Sequence, residues 1–292
     1  MRTFTAVVNP AAGNRRRTAA GRVRHVVQRL REAGAAVRVE TTRSLQHSDE
    51  IASAAVARGD VVLAVGGDGT VGRLAGTVVR TGGVLGILPA GRGNDFARQL
   101  GLPTDPDAIA KLLLRESEPQ LVDVIETAGT IVVGSIYTGI DAIANRHFNR
   151  VRPLGAAGYH YSAGRALLTW RMATYHVTVD GTEHNARGYT VVLANSGFYG
   201  DGRHAAPDAR VDDGLLDIVI LRDVSRWGFV SIAMKELYSG AHLKRPEVEV
   251  LRGREVRVEA DRELPYGGDG ELLSTLPVTA RVLPGALRVL AS

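Results

Sequence analysis

A chain of 292 residues with 45% hydrophobic residues is long enough to bury a substantial core, most simply in two domains of ordinary size. Charged residues of both signs make up 23% of the chain, a composition that excludes a disordered or fibrous protein. The formal net charge is +5, and this positive excess is too small and scattered for a nucleic-acid groove. Cysteine is absent and no apolar run is long enough to span a membrane, so we expect a cytoplasmic protein without disulfides that meets membranes only at its surface.

The first 125 residues alternate short β-branched runs with helical segments, which is typical of β-α-β units in a parallel sheet. Strands are predicted at residues 4–8, 37–41, 61–65 and 84–88. Helices are predicted at residues 18–33 and 48–58, the second capped by Ser48 and ended by Gly59. The pattern therefore predicts a doubly wound α/β domain over residues 1–125.

After residue 125 the predicted strands follow one another more closely, which is typical of an antiparallel sandwich or barrel. They are expected at residues 131–137, 175–179, 190–194, 215–221, 248–251 and 255–260, with helical insertions at residues 158–171 and 225–237. We predict a second, all-β domain with helical insertions over residues 126–279. The strand-like residues 280–292 are expected to complete the first domain.

Residues 61–74, VVLAVGGDGTVGRL, place an apolar strand directly before four glycines. Gly67, Gly69 and Gly72 have the spacing of a dinucleotide-binding loop, but that fingerprint belongs on the first strand of its unit and is weak alone. Asp68 inside the turn would repel a phosphate unless a cation or a tightly hydrogen-bonded loop offsets its charge. Alone, the turn is explained equally well as a tight strand-to-helix connection with Asp68 as helix cap.

Two more glycine-containing turns follow strands in the same half, NPAAG at residues 9–13 and PAGRGNDFAR at residues 89–98. The carboxyl ends of parallel strands share one edge of a sheet, and open α/β folds bind their ligands at that edge. We therefore expect the three turns to converge on a nucleotide phosphate site.

With these turns in this order, the chain resembles the diacylglycerol kinase catalytic-domain family, whose first domain is related to that of NAD kinases. The resemblance continues through YTGIDAIANRHFN at residues 137–149, APDARVDDGLLDIVIL at residues 206–221 and DGE at residues 269–271. It implies an α/β N-terminal domain, a C-terminal β-sandwich, and transfer of the γ-phosphoryl group of ATP to the hydroxyl of a diacylglycerol-like lipid.

The resemblance also implies roles for individual residues. Those that would hold the nucleotide are Asn9, Pro10, Ala11, Ala12, Gly13, Thr41 or Thr42, Gly66, Gly67, Asp68, Gly69, Thr70, Val71, Gly72, Arg92 and Asp95. A Mg²⁺ site would use the Asp213 side chain with the backbone oxygens of Arg210 and Leu215, and Glu271 would be the general base. Taken alone, Asp269-Gly270 also suits a hairpin turn with Glu271 as a solvated strand residue, and the aspartates at 212, 213 and 217 suit a turn at a strand edge.

The chain departs from the family pattern in two places. Gly72-Arg73 stands where relatives usually have Asn-Glu, and Arg92 stands where they usually have Thr. Loss of that threonine would remove a phosphate contact. We hypothesise that Arg92 compensates with a bidentate phosphate grip worth ~1.5–3 kcal/mol.

The segment that could contact the lipid acceptor is residues 158–171, which contain Tyr161, Leu168 and Trp170 together with arginines. This pattern suits either an interfacial segment beside a lipid site or an ordinary amphipathic helix packed on the sandwich. The resemblance implies a lipid partner, peripheral association with the inner face of the membrane, and no nucleic acid; a homodimer is left open. The alternatives are an NAD kinase-like phosphotransferase and a non-catalytic nucleotide- or lipid-binding family member.

Overall fold

The computed structural model describes residues 2–9, 16–91, 93–151 and 155–291. The chain divides into two compact units. Unit 1 comprises Met1–Val124 with Leu283–Ser292, and unit 2 comprises Ile125–Val282. Among the described residues, no helix combines the length and apolarity needed to cross a lipid bilayer.

Unit 1 is a parallel sheet with flanking helices, which confirms the predicted α/β fold. Its strands, in the spatial order β4-β3-β1-β2, are β1 (Thr3–Val8), β2 (Ala36–Thr41), β3 (Val61–Gly66) and β4 (Leu85–Pro89). Its helices are α1 (Arg16–Glu32), α2 (Leu45–Ala57), α3 (Asp68–Thr81), α4 (Asp95–Gln99) and α5 (Pro106–Leu114). On the other side of β4, Val289 near the chain's end pairs in parallel with Leu85.

The core of unit 1 follows from the apolar periodicity of these elements. All six residues of β3 are buried, as expected for an inner strand of a parallel sheet that is covered on both faces. Helix α1 directs Val26 and Leu30 into the same apolar cluster as Leu63 of β3. Packing therefore fixes the position of β3, and with it the turn that follows this strand.

Helix α2 begins earlier than predicted, so the assignment of Ser48 as its cap is wrong. Ser44 is the cap, because its extended backbone lets its hydroxyl oxygen accept a hydrogen bond from the His47 N–H at 3.0 Å. Ser48 lies inside the helix, where its hydroxyl donates to the Leu45 carbonyl oxygen at 2.6 Å. The helix ends before Gly59, as predicted.

Unit 2 is an antiparallel β-sandwich, as predicted. Strand β5 leads into it from unit 1, and the last strand, β17, leads back. The strands are β5 (Gln120–Thr127), β6 (Thr130–Val132), β7 (Ser135–Gly139), β8 (Ala173–Val179), β9 (Thr182–Ala194), β10 (Phe198–Tyr199), β11 (Arg203–His204), β12 (Leu216–Arg222), β13 (Val248–Gly253), β14 (Glu255–Ala260), β15 (Pro265–Gly268), β16 (Glu271–Thr275) and β17 (Val278–Val289).

Long strand β9 organises unit 2, because it pairs antiparallel with β7, β8 and β12. The helical parts are α6 (Ile140–Val151), α7 (Gly155–Thr169), α8 (Arg226–Ser231), a π-helical turn (Ile232–Glu236), α9 (Leu237–Ser239) and a 3-10 turn (Ala241–Lys244). Helix α6 has no counterpart among the predicted elements.

The single strand predicted over residues 131–137 is wrong, since the chain forms two strands there. Val133 and Gly134 separate β6 from β7, and both donate their backbone N–H groups to the Asp269 carboxylate at 2.8 Å. A distant carboxylate thus replaces the ladder hydrogen bonds at this point, which a local sequence pattern does not reveal.

Candidate active site

The carboxyl ends of the unit 1 strands lie at one sheet edge, as expected from the sequence. Val8 is in register with both Thr41 and Val65, and Gly66 is in register with Pro89. Asn9 therefore begins its turn at the same edge as the other two glycine turns. The predicted nucleotide residues Pro10, Ala11, Ala12, Gly13 and Arg92 lie outside the described residues.

The turns after β3 and β4 pack backbone to backbone. A Cβ atom on Gly91 would lie 2.4 Å from the Gly67 Cα atom, and one on Gly67 would lie 3.0 Å from the Gly91 Cα atom. Asn94 holds Gly91 in place, because its side chain accepts the Gly91 N–H at 2.9 Å and donates to the Gly91 carbonyl oxygen at 3.1 Å. The lack of side chains at Gly67 and Gly91 is thus required by the close approach of two loops.

Asp68 connects these turns through its carboxylate. It is the first residue of α3, yet its Oδ1 atom accepts a hydrogen bond from the Phe96 N–H at the start of α4, at 3.2 Å. Burial raises the pKa of Asp68, and the charge of Asp95 raises it further. Between a tightly hydrogen-bonded loop and a helix cap, the structure supports the loop, because the carboxylate accepts from the amino end of another helix and Gly67 holds the cap position of α3.

The other predicted nucleotide residues near Asp68 differ in exposure. Gly69 is exposed, whereas Val71 and Gly72 are buried in unit 1. Thr70 folds back over the end of β3, since a Cβ atom on Gly66 would lie 2.5 Å from its Oγ1 atom. The first turn of α3 therefore presents backbone at Gly69 and packs its following residues into the interior.

The two threonines at the end of β2 also differ. Thr41 is exposed and Thr42 is buried, with the Thr42 N–H donating to the Val8 carbonyl oxygen at 2.9 Å. Of these two threonines, Thr41 is therefore the one whose side chain is presented to solvent.

Arg73, one of the departures from the family pattern, links α3 to α2. Its Nε atom donates to the Leu45 carbonyl oxygen at 3.0 Å, and its guanidinium forms an ion pair with Asp49. Thr77, one turn later, donates to the same carboxylate at 3.0 Å. The Arg73 side chain thus serves packing between helices.

In unit 2, Asp269 and Gly270 form a two-residue hairpin turn between β15 and β16, which confirms the hairpin interpretation. Both residues have positive φ angles, 48° and 84°, and Gly268 pairs with Glu271 across the turn. This is the backbone that Asp-Gly favours in a type I′ turn. The turn leaves Glu271 exposed at the first position of β16.

Asn145 of α6 lies beside this hairpin and was not singled out from the sequence, although the motif at 137–149 contains it. Its Nδ2 atom donates to the Gly270 carbonyl oxygen at 2.7 Å and to the Tyr137 hydroxyl at 2.6 Å. Burial raises the pKa of Tyr137, and the charges of Asp141, Glu271 and Asp269 raise it further. Tyr137 is therefore a neutral phenol, and it lies close enough to Glu271 for the Glu271 charge to affect its pKa.

Asp141, at the start of α6, is a second residue without a sequence-derived role. Its carboxylate accepts a hydrogen bond from the Thr190 hydroxyl at 2.7 Å. Burial raises its pKa, while the Thr190 hydrogen bond and the Arg203 charge lower it. Asp141 lies close enough to Tyr137 for its charge, when the carboxyl group is ionised, to raise the pKa of the Tyr137 phenol.

The predicted metal-binding loop of unit 2 is acidic. Asp213 accepts a hydrogen bond from the Leu215 N–H at 3.1 Å, and its other oxygen forms an ion pair with Arg252. Arg252 also contacts Asp217, with 3.2 Å between Nε and Oδ1. The Asp217 Oδ2 atom is buried without a hydrogen-bond partner among the residues that the structure describes.

Few side chains in this loop are available as metal ligands. Within the described ranges, no group of three or more His, Cys, Asp or Glu side chains is placed to hold a metal ion. The predicted set is different in kind, since it combines one carboxylate, Asp213, with two backbone oxygens. Oxygen donors suit Mg²⁺, and the Asp217 Oδ2 atom is a buried oxygen that no donor among the described residues satisfies. The donor chemistry of the loop therefore fits a divalent cation.

The α/β unit with its glycine turns and the β-sandwich unit each match a known family model. Residues 3–127 match the family model described as diacylglycerol kinase catalytic domain, and residues 134–291 match the one described as YegS C-terminal NAD kinase beta sandwich-like domain. The chain belongs to the diacylglycerol kinase catalytic-domain family, a family of lipid kinases.

Known relatives span nearly the whole chain. A diacylglycerol kinase from Mycobacterium tuberculosis is 33% identical over 98% of this chain and 94% of its own length. A protein from Chromohalobacter salexigens named "Probable lipid kinase YegS-like" is 35% identical over 91% of this chain and 87% of its own length. The fold matches the crystal structure of a diacylglycerol kinase from Bacillus anthracis str. Sterne with a TM-score of 0.79 and 23% identity, covering 100% of this chain and 97% of that one.

Proposed function

We propose that this protein transfers the γ-phosphoryl group of ATP to the hydroxyl of a diacylglycerol-like lipid. The observation that carries the proposal is the close packing of Gly67 against Gly91 at the carboxyl edge of the unit 1 sheet. Open α/β folds bind ligands at this edge, and turns without side chains let a phosphate approach backbone N–H groups.

The nucleotide is proposed to bind along this edge. Helix α3 has 14 residues and starts at the glycine turn, so its amino end favours an anion there. Asn9 directly follows β1, Thr41 ends the neighbouring strand β2, and Asp95 opens the helix that Asp68 contacts. In this arrangement Asp68 maintains the shape of the loop, because its carboxylate is already directed at α4.

Glu271 is proposed as the general base. It is exposed at the end of a rigid two-residue hairpin, with Tyr137 and Asn145 nearby. A carboxylate in this position takes the proton of the acceptor hydroxyl as its oxygen attacks phosphorus, and the neutral Tyr137 phenol does not compete for that proton.

Mg²⁺ is proposed to bind the Asp213 carboxylate with the backbone oxygens of Arg210 and Leu215. When bound, a magnesium ion supplies positive charge that offsets negative charge around it. Arg252 also supplies positive charge to Asp213 and Asp217 through its ion pairs with them. We also propose that the protein works in the cytoplasm at the inner face of the membrane, where its lipid acceptor is found.

Incubation of the purified protein with radiolabelled ATP, Mg²⁺ and a panel of lipid alcohols tests this function. A labelled product that partitions into organic solvent is expected, most of it from diacylglycerol. Labelled NADP in a parallel reaction with NAD would instead support the NAD kinase alternative. ATP binding with neither product would support a non-catalytic nucleotide-binding protein and contradict the proposal.

A further inference from the structure

Two helical insertions of unit 2 expose large apolar side chains. Six of the ten exposed large hydrophobic residues that the structure describes lie in residues 155–171 and 225–245, and the two most exposed are Trp227 at 84% and Leu168 at 74%. We define the aromatic surface as these six: Tyr159, Tyr161, Leu168, Trp227, Met234 and Tyr238. Exposed apolar groups gathered in this way mark an interaction site.

Helix α7 separates its buried and exposed faces clearly. Ser162 and Ala166 are buried one turn apart, and Trp170 follows them into the core at 8% exposure. For Trp170 the structure supports packing on the sandwich over an interfacial position, because the indole lies in the core beneath the Arg262 guanidinium. Tyr161 and Leu168, seven residues apart, share the opposite, exposed face.

The two insertions form one surface, because two sets of contacts join them. The Arg203 guanidinium lies 5.9 Å from the centre of the Tyr159 ring and 5.4 Å from that of Tyr238. At the other end, the Tyr189 ring stacks on Phe229 of α8 at 4.5 Å and on Trp170 at 6.4 Å. Arg203 and Tyr189 therefore each contact both insertions, which places the two insertions beside one another.

The same two insertions contain more basic than acidic residues. Residues 155–171 and 225–245 contain six basic residues and one acidic residue, so their net charge of +5 equals that of the whole chain. The acidic residue, Glu236, is paired with Arg245 through two hydrogen bonds of 2.6 Å. Arg226 and Lys235 remain exposed beside Trp227 and Met234 in the sequence.

We propose that the aromatic surface docks onto an anionic lipid bilayer. Trp and Tyr side chains favour the headgroup region, Leu and Met enter the acyl boundary, and Arg and Lys attract anionic lipids. A second copy of this chain is disfavoured as the occupant, since two such surfaces would bring like charges together. The inference rests on the proposed function for the lipid nature of the partner, but its test needs no nucleotide.

Sedimentation with vesicles tests the docking. One set of vesicles contains phosphatidylcholine alone and the other equal parts of phosphatidylcholine and phosphatidylglycerol. The wild type is expected to bind the anionic set more tightly. The double variant Leu168→Ser/Trp227→Ser should bind it about tenfold more weakly, because two apolar side chains no longer enter the bilayer.

A charge variant separates the two contributions. Arg226→Gln/Lys235→Gln is expected to lose about fivefold per charge on the anionic vesicles and almost nothing on the neutral ones. Leu45→Ser is the matched control, since Leu45 is an exposed leucine of unit 1. The proposal would be overturned if Leu168→Ser/Trp227→Ser bound the anionic vesicles as tightly as Leu45→Ser does. Circular dichroism must show that both variants are folded.

Tryptophan fluorescence provides an independent readout. The chain has two tryptophans, and only Trp227 is exposed. Anionic vesicles should shift its emission to shorter wavelength, whereas the buried Trp170 gives a constant background. An absent shift, or a wild-type dimer that Trp227→Ser converts to monomer without lipid, would contradict bilayer docking. A failed phosphoryl-transfer assay together with intact vesicle binding would contradict only the proposed function.

Discussion

Gly91 and Gly67 are in backbone contact, since a Cβ atom added to Gly91 would lie 2.4 Å from the Gly67 Cα atom. Backbone cannot move aside as a flexible side chain can. Gly91→Ala is therefore expected to force the two turns apart, to weaken ATP binding, and to lower the free energy of unfolding by about 1–3 kcal/mol. Urea denaturation and ATP titration measure both effects.

The matched control is Gly21→Ala in helix α1, where an added Cβ atom meets nothing within 4 Å. This variant is expected to be neutral or to gain up to about 1 kcal/mol, because alanine favours helix. Equal ATP affinity of Gly91→Ala and Gly21→Ala would argue against a nucleotide site at these turns.

Asp68→Asn tests the buried carboxylate. Burial, followed by the Asp95 charge, raises the pKa of Asp68 in the folded state above its ordinary value of 3.8. An acid whose folded-state pKa is raised destabilises the protein above that pKa and has no such effect below the unfolded-state pKa. The variant should therefore be more stable than wild type at neutral pH, and the difference should vanish as pH falls below about 3.8.

Urea denaturation of both proteins across this pH range measures the difference. An advantage of Asp68→Asn that stayed constant with pH would contradict a titrating carboxylate. Because asparagine keeps an oxygen that accepts the Phe96 N–H, a large loss of stability at neutral pH that disappears at low pH would show that the charge itself maintains the contact with α4.

Glu271→Gln tests the proposed base. Glutamine has the same shape but takes up no proton, so the turnover number for lipid phosphorylation should fall about 10²–10⁴-fold. ATP affinity should stay the same, because the change is confined to the β16 hairpin. Glu255→Gln, another exposed glutamate at the first position of a strand, is the control and should keep full activity. Full activity of Glu271→Gln would exclude Glu271 as the base.

Asp213→Asn tests the metal site without reference to catalysis. An ion that binds only the folded protein raises its melting temperature, so Mg²⁺ is expected to stabilise the wild type in the absence of nucleotide. Asp213→Asn should lose this response. Asp212→Asn should keep it, because the neighbouring Asp212 carboxylate pairs with the Arg210 side chain. The same response in both variants would place the ion elsewhere.

The sequence by itself predicted the α/β and β-sandwich units and the convergence of glycine turns at one sheet edge. These features depend on local properties: apolar periodicity sets strand and helix, and glycine or Asp-Gly sets the turn. The Asp269-Gly270 hairpin could be predicted for this reason, since both residues readily adopt positive φ angles. Helix α6 escaped prediction although its sequence was part of a recognised motif.

Only the tertiary structure decided which side chains meet across elements. Asp68 contacts the Phe96 N–H, Arg73 pairs with Asp49, and Asp213 pairs with Arg252. Two tryptophans in similar helical, arginine-flanked segments end with opposite exposure, Trp170 buried and Trp227 exposed. Such partnerships depend on strand register and helix packing between distant parts of the chain, and local periodicity carries no information about them.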